Sequence, residues 1–231
     1  MYFDLKQRVF EANLMLPKLG LVDLTWGNVS EVDRANGVVA IKPSGVAYDA
    51  MSAEDIVIVD LKSGEVVDGK LNPSSDLPTH LELYRAFENI VAVVHTHSKY
   101  ATSFAQSKQE IIPLGTTHAD TFYGAIPYTR GLTDEEIKGD YEVNTGKVIA
   151  ERFENLDYDA IPSVLVACHG VFTWGKSAVN AVENALITER VAEMAYITKT
   201  LGNQNPISQT LLDKHYERKH GKNAYYGQKN K

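Results

Sequence analysis

Apolar residues near the start of the chain recur at helical spacing. Leu5, Val9, Ala12 and Leu16 share one face and Gly20 supplies a stop, which predicts a helix over residues 4–19. The pattern then shortens. VVAIKP, DIVIVDL, GEVVDG, IVAVVHTH and SVLVACHG are β-rich runs, several bounded by Gly, Asn or Pro, and read as strands of one sheet. Helical spacing returns over residues 76–87 and 100–106, and from Thr133, where Glu136 three residues later completes a capping box. The clearest helix spans residues 177–201: Ser177 caps it, Val182, Leu186, Met194 and Ile197 recur along it, and Gly202 and Pro206 close it. A last helix covers residues 208–219. Alternating helices and strands predict an α/β fold, a three-layer α/β/α sandwich. Turns as short as KSGE cannot make parallel crossovers, so the central sheet is expected to be mixed and largely antiparallel.

No repeat or linker divides the 231 residues, and 44% hydrophobic content suits one core, so a single domain over 1–231 is expected, with 222–231 as a tail. Charges at Asp4, Lys6, Arg8 and Glu11 break any apolar run near the start, which argues against a signal peptide or membrane span. The single cysteine, Cys168, forms no intramolecular disulfide and fits a reducing compartment; a cytoplasmic location is expected. The net charge of −7 argues against a nucleic-acid partner. Only the C-terminal DKHYERKHGKNAYYGQKNK is basic.

Candidate chemistry begins with IVAVVHTH. Residues i and i+2 of a strand face the same side, so His95 and His97 stand together at its end. SVLVACHG also ends in a histidine, His169, with a glycine that lets the chain turn away. Three imidazoles and no cysteine are the ligand set of a catalytic zinc site, which leaves a position open for substrate. Cys168, next to His169, is expected on the opposite face, in the core. His80 reads as a structural helix residue. His118, two residues before Asp120, would either orient that carboxylate or do nothing special.

Three segments have the Ser, Gly, Asn and Lys content of anion sites: TWGNVS (25–30), KPSGV (42–46) and PSSD (73–76). Ser74 and Ser75 precede a helix start, where free amides and the helix dipole attract a phosphate, and Lys42 would add a full charge. Each segment alone is an ordinary turn or cap; their co-occurrence gives them weight.

TWGNVS, IKPSGV, PSSDLPTHLELYRAF, VVHTHS, GTTHADTFYG, the HG of ACHG and LLDKHYERKHGKNAYYG together resemble the class II aldolase and sugar-phosphate epimerase family, almost end to end. The resemblance implies one divalent metal per subunit, Zn2+ first with Mn2+ or Co2+ as alternatives, on His95, His97 and His169, with Asp76 near the metal or the substrate. It implies phosphate contacts from Ser44, Gly45, Ser74 and Ser75, with Asn28 and Lys42 nearby. It also implies acid/base roles for Asp120 and Tyr226, with His215 and Arg218 beside them, reaching the metal site of a neighbour in a homotetramer. Lys229 and Lys231 lie beyond the matched segment and read as solvated.

Within the family, Asp76 stands where aldolases carry a longer glutamate, and the AYYG tail resembles the L-ribulose-5-phosphate 4-epimerases. The implied reaction inverts C4 of a ketopentose 5-phosphate, in arabinose or ascorbate utilisation. The C4 hydrogen is not adjacent to the carbonyl, so the expected route is retro-aldol cleavage of C3–C4, rotation of the aldehyde fragment and re-addition. Alternatives are an aldolase that releases its fragments, a non-catalytic adducin-type interaction domain, and an iron oxygenase on His95, His97 and Asp76, which leaves His169 unexplained.

Overall fold

The computed structural model describes residues 2–227, so Lys229 and Lys231 lie outside the described residues. Helix α1 (Phe3–Lys18) turns Leu5, Val9, Ala12 and Leu16 inward, as their spacing predicts, and ends before Gly20 in the left-handed region. Strands β1 (Asn28–Asp33), β2 (Val38–Ile41), β3 (Val57–Asp60) and β4 (Val66–Asp68) follow, with one 3-10 turn at Ala53–Asp55. Helix α2 (Leu77–Ala86) leads to β5 (Ala92–Thr96) and α3 (Lys99–Ser107). After α4 (Thr116–Ala119), α5 (Asp134–Lys138) and α6 (Tyr141–Arg152), the chain forms the hairpin of β6 (Ser163–Leu165) and β7 (Val171–Gly175). It ends in α7 (Ala178–Thr200) and α8 (Gln209–His220).

The seven strands run in the order β4-β3-β2-β1-β5-β7-β6, and every pair is antiparallel. The expected mixture reduces, among the described residues, to one isolated parallel bridge, Tyr128 to Leu165. Side chains alternate across the sheet as its pleat requires. Val39, Ile41, Val57, Val59 and Val93 pack with Leu77, Leu81 and Tyr84 of α2 and Ile149 of α6. Val38, Ala40, Ile58, Ala92 and Val94 pack with α1 and with Ala181, Val182 and Ala185 of α7. Helices cover both faces, which gives the expected three-layer α/β/α sandwich.

Thr133 and Glu136 form the anticipated capping box, and the Ser177 hydroxyl accepts from the Asn180 amide at 3.1 Å. The periodic residues of α7 behave differently from expectation. Val182 is buried, but Met194 and Ile197 are about half exposed, and the sheet is met by a stripe of alanines that lets the helix approach closely.

Candidate metal centre

The antiparallel register sets Asn28 on β1, His95 on β5 and Phe172 on β7 side by side. The His95 ring stacks on Phe172 at 4.2 Å between centroids, and its Nδ1–H donates to the Val171 carbonyl at 2.9 Å. That bond leaves Nε2 of His95 as the free lone pair, 3.0 Å from Nε2 of His97 just beyond the strand end. His169 completes the group from the β6–β7 turn, not from a strand. Its Nδ1 lies 3.4 Å from the Tyr141 hydroxyl of α6, a neighbour that no sequence motif announces.

Gly170 is needed here for close approach. A Cβ at this position would lie 2.8 Å from the Thr96 carbonyl oxygen and 3.2 Å from ring carbons of both His95 and His97. Cys168 corrects the sequence reading. It is exposed and stands in the turn with φ +61, because strand alternation ends at Leu165 and cannot place residues beyond it.

Ligand atoms of His95, His97 and His169 all lie within 4.8 Å of one another. Zinc–nitrogen bonds of about 2.05 Å set tetrahedral neighbours about 3.4 Å apart, so a small closure seats an ion. Protonation fits as well. Burial pushes His95 down to about 3 and lowers His97 and His169, so all three are neutral at neutral pH, the form in which an imidazole can ligate a metal. Asp76 lies in the same cleft but outside this ligand group. Burial pushes its carboxyl up, while the surrounding histidines and the Asn28 amide outweigh that and hold it below the usual carboxylate range. One amide nitrogen, Asn28 Nδ2, donates to both Asp76 Oδ2 at 2.7 Å and Ser74 Oγ at 3.0 Å.

A cleft of about 540 Å³ joins these groups to the anion segments. Asn28, Lys42, Ser44, Gly45, Ser74, Ser75 and Asp76 line it together with the three histidines. Ser74 Oγ accepts from the Asp76 amide at 3.3 Å at the start of α2, and Ser44, Gly45 and Ser75 are exposed. Lys42 is held from within the chain as well as lining the cleft. It is 2% exposed, and its ammonium donates to the Val46 carbonyl at 2.9 Å, with the Thr25 and Pro43 carbonyls at 3.4 Å. It therefore ties two cleft loops together at their base, and burial pushes its pKa down. Trp26, 54% exposed, stands at the cleft with its ring 6.5 Å from that of His97.

The remaining predicted residues gather elsewhere in the chain. Asp120 Oδ1 accepts from His215 Nδ1 at 2.9 Å and Arg218 Nε at 3.0 Å, and Oδ2 accepts from a second Arg218 nitrogen at 2.7 Å. Partial burial pushes Asp120 up, and Arg218 and His215 more than offset it and hold the carboxyl below its ordinary value. The Tyr226 ring covers Arg218 at 5.2 Å and Lys219 at 4.4 Å and is largely exposed. None of these four lines the metal cleft.

His118 does not touch Asp120. It bonds the Gly124 carbonyl at 2.6 Å, and burial lowers it to about 4. His80 is buried, bonded through Nδ1 to Ser30 Oγ at 2.7 Å, as a structural helix residue should be. A larger groove of about 690 Å³ between α3 and α7 holds none of the candidate ligands.

Among the described residues no helix is long and apolar enough to cross a membrane. The structure is similar to L-fuculose 1-phosphate aldolase, with TM-score 0.79 and 26% identity over 93% of this chain and 95% of that one. It is also similar to the L-fuculose 1-phosphate aldolase from Glaciozyma antarctica PI12 (TM-score 0.74, 20% identity, 93% and 80% covered). A putative aldolase/epimerase/decarboxylase from Klebsiella pneumoniae has TM-score 0.70 and 23% identity, with 91% and 97% covered. The sequence pattern described as "Class II Aldolase and Adducin N-terminal domain" matches residues 7–196, and the chain belongs to that family.

Proposed function

We propose that the chain is a divalent-metal enzyme that interconverts L-ribulose 5-phosphate and D-xylulose 5-phosphate, an L-ribulose-5-phosphate 4-epimerase working by retro-aldol cleavage, rotation and re-addition. The observation that carries this reading is one cleft that joins three neutral imidazoles to two hydroxyl-bearing loops. A bound Zn2+, or Mn2+ or Co2+ in its place, supplies Lewis-acid stabilisation of the charge released by carbon–carbon cleavage. Ser44, Gly45, Ser74 and Ser75 hold the phosphate, the latter two at the start of α2 where free amides and the helix dipole favour an anion. Holding the phosphate keeps the cleaved aldehyde fragment from leaving. Lys42 fixes the loop geometry beneath it.

Asp120 and Tyr226 serve as acid and base, contributed with His215 and Arg218 by a neighbour in a homotetramer. Their grouping where α8 meets the end of α4, outside their own subunit's cleft, supports a supply in trans, which the head-to-tail contacts of a cyclic ring permit. The protein is assigned to the cytoplasm.

An aldolase that releases its fragments is the second reading, favoured by the 26% identity to an L-fuculose 1-phosphate aldolase. Asp76 speaks against it: the side chain is short and one oxygen is engaged by Asn28, which limits its use as a mobile acid or base. Purified protein with added Zn2+ should convert L-ribulose 5-phosphate to D-xylulose 5-phosphate without accumulating free aldehyde. Release of stoichiometric aldehyde, from that sugar or from L-fuculose 1-phosphate, would establish the aldolase instead.

A further inference from the structure

We propose that Glu189, on α7, is a positioning residue of the metal centre: its buried carboxylate caps the first turn of α3 and thereby fixes His97. The inference rests on reading His95, His97 and His169 as metal ligands.

Helix α3 begins two residues after His97, and Ser98 occupies its N-cap position with extended backbone. An N-cap serine ordinarily accepts from the second or third amide of the helix. Ser98 makes no such bond, and its hydroxyl lies instead 3.4 Å from that of Thr96. The two amides are taken by Glu189. Its Oε1 accepts from Tyr100 N and its Oε2 from Ala101 N, each at 2.9 Å. The residue is 7% exposed and makes no ion pair among the described residues. A buried carboxylate with no cation is costly, and the two amides and the positive end of α3 compensate it. Charge-assisted bonds of this kind hold the helix start more firmly than a serine hydroxyl would.

The firmness matters because of where His97 sits. His95 is oriented by the Val171 carbonyl, and His169 has the Tyr141 hydroxyl beside it. No donor or acceptor outside the three imidazoles orients His97: among the described residues its one polar contact is with His95 Nε2. Its direction therefore comes from its backbone, which is the short link between the end of β5 and the start of α3. The sheet fixes one end of that link and Glu189 fixes the other. Groups that orient metal ligands commonly change metal affinity about 10–100-fold when removed.

The test compares metal-free wild type with Glu189→Ala, Glu189→Gln and Val191→Ala. Val191 is buried on the same helix in the apolar cluster that includes Ala105, and makes none of the cap's hydrogen bonds, so its truncation costs stability while leaving the cap's donors and acceptors in place. Each protein is titrated with Co2+ against a competing chelator, its visible absorption spectrum recorded, and its unfolding by urea measured without metal. Glu189→Ala should weaken Co2+ binding on the order of tenfold and shift the spectrum. Glu189→Gln, which keeps one acceptor, should fall between it and wild type, and decides the matter if the alanine variant does not fold. Val191→Ala should lose stability with affinity and spectrum unchanged. Wild-type affinity and spectrum in Glu189→Gln and Glu189→Ala, or an equal loss in Val191→Ala, would overturn the positioning role. Failure of wild type itself to bind Co2+ would overturn the metal reading on which the inference stands.

Discussion

Asn28 is the point at which fold and site depend on one another. It begins β1 opposite His95, is buried, and spends both Nδ2 hydrogens on Asp76 and Ser74. Asn28→Ala removes one bond to a charged acceptor, about 1.5–3 kcal/mol, and one to a neutral hydroxyl, about 0.5–1.5 kcal/mol. Asp76 is partly open to solvent, so the lower half of the sum applies, about 2–3 kcal/mol. The Asp76 share depends on pH. Its folded pKa is depressed, so its contribution is present above the unfolded value of about 3.9 and is lost as pH falls through the folded value. The deficit of Asn28→Ala should therefore be full at pH 7 and shrink in strong acid towards the part due to Ser74. Asn28→Asp has the opposite slope. It places a second carboxyl beside Asp76, raises one folded pKa above its unfolded value, and so makes the variant progressively less stable as pH rises from 4 to 7. Urea unfolding of metal-free protein across this range measures both. A deficit below about 0.5 kcal/mol for Asn28→Ala, within the ordinary scatter of surface substitutions, would refute the account. So would a flat pH response for Asn28→Asp.

Three further outcomes are expected. His95→Asn and His169→Asn should each lose metal, by elemental analysis, along with turnover while remaining folded oligomers; full activity without metal in either would remove the assignment. During epimerisation, solvent deuterium should stay out of C4 while a carbon-13 isotope effect appears at C3 and C4, and rapid exchange at C4 would point to another route. His97→Asn and Tyr226→Phe should each be nearly inactive, yet regain about a quarter of sites when unfolded together and reassembled, the product of two one-half chances in a heterologous ring. Mixed oligomers, confirmed by mass spectrometry, that recover nothing would place Tyr226 in its own subunit's site.

The strands that the sequence showed and those it concealed differ for a physical reason. β3 and β5 are apolar runs and were legible as such. β1, NVSEVD, is also buried along nearly its whole length, but its polar residues are satisfied internally: Ser30 by His80 and Tyr84, and Glu31 by Arg8. A pattern reading that equates burial with apolarity assigns such a segment to a loop, although it pairs directly with β5 at the centre of the sheet. β7 was concealed by its position, since VFTWG follows a His-Gly pair that marks a turn, and the turn and the strand are both real.

The site divides along the same line. Each cleft residue belongs to a short segment with recognisable chemistry, and the sheet register needs only to bring these segments to one edge. The partners that orient them are far away in sequence and ordinary in composition. Tyr141 lies in an amphipathic helix, Glu189 reads as one more charge on a long helix, and Arg218 meets Asp120 across 98 residues. Glu189 shows why spacing could not find them. Its neighbours along α7 are alanines and valines that face the core, and a charge there is anomalous only once the helix is known to be buried on that side. A buried charge must be compensated, and the compensation available was the start of α3, the element that follows His97. Candidate ligands can be read from the sequence because chemistry restricts their types, whereas the groups that hold them are restricted only by where the fold leaves an amide or a ring to be satisfied.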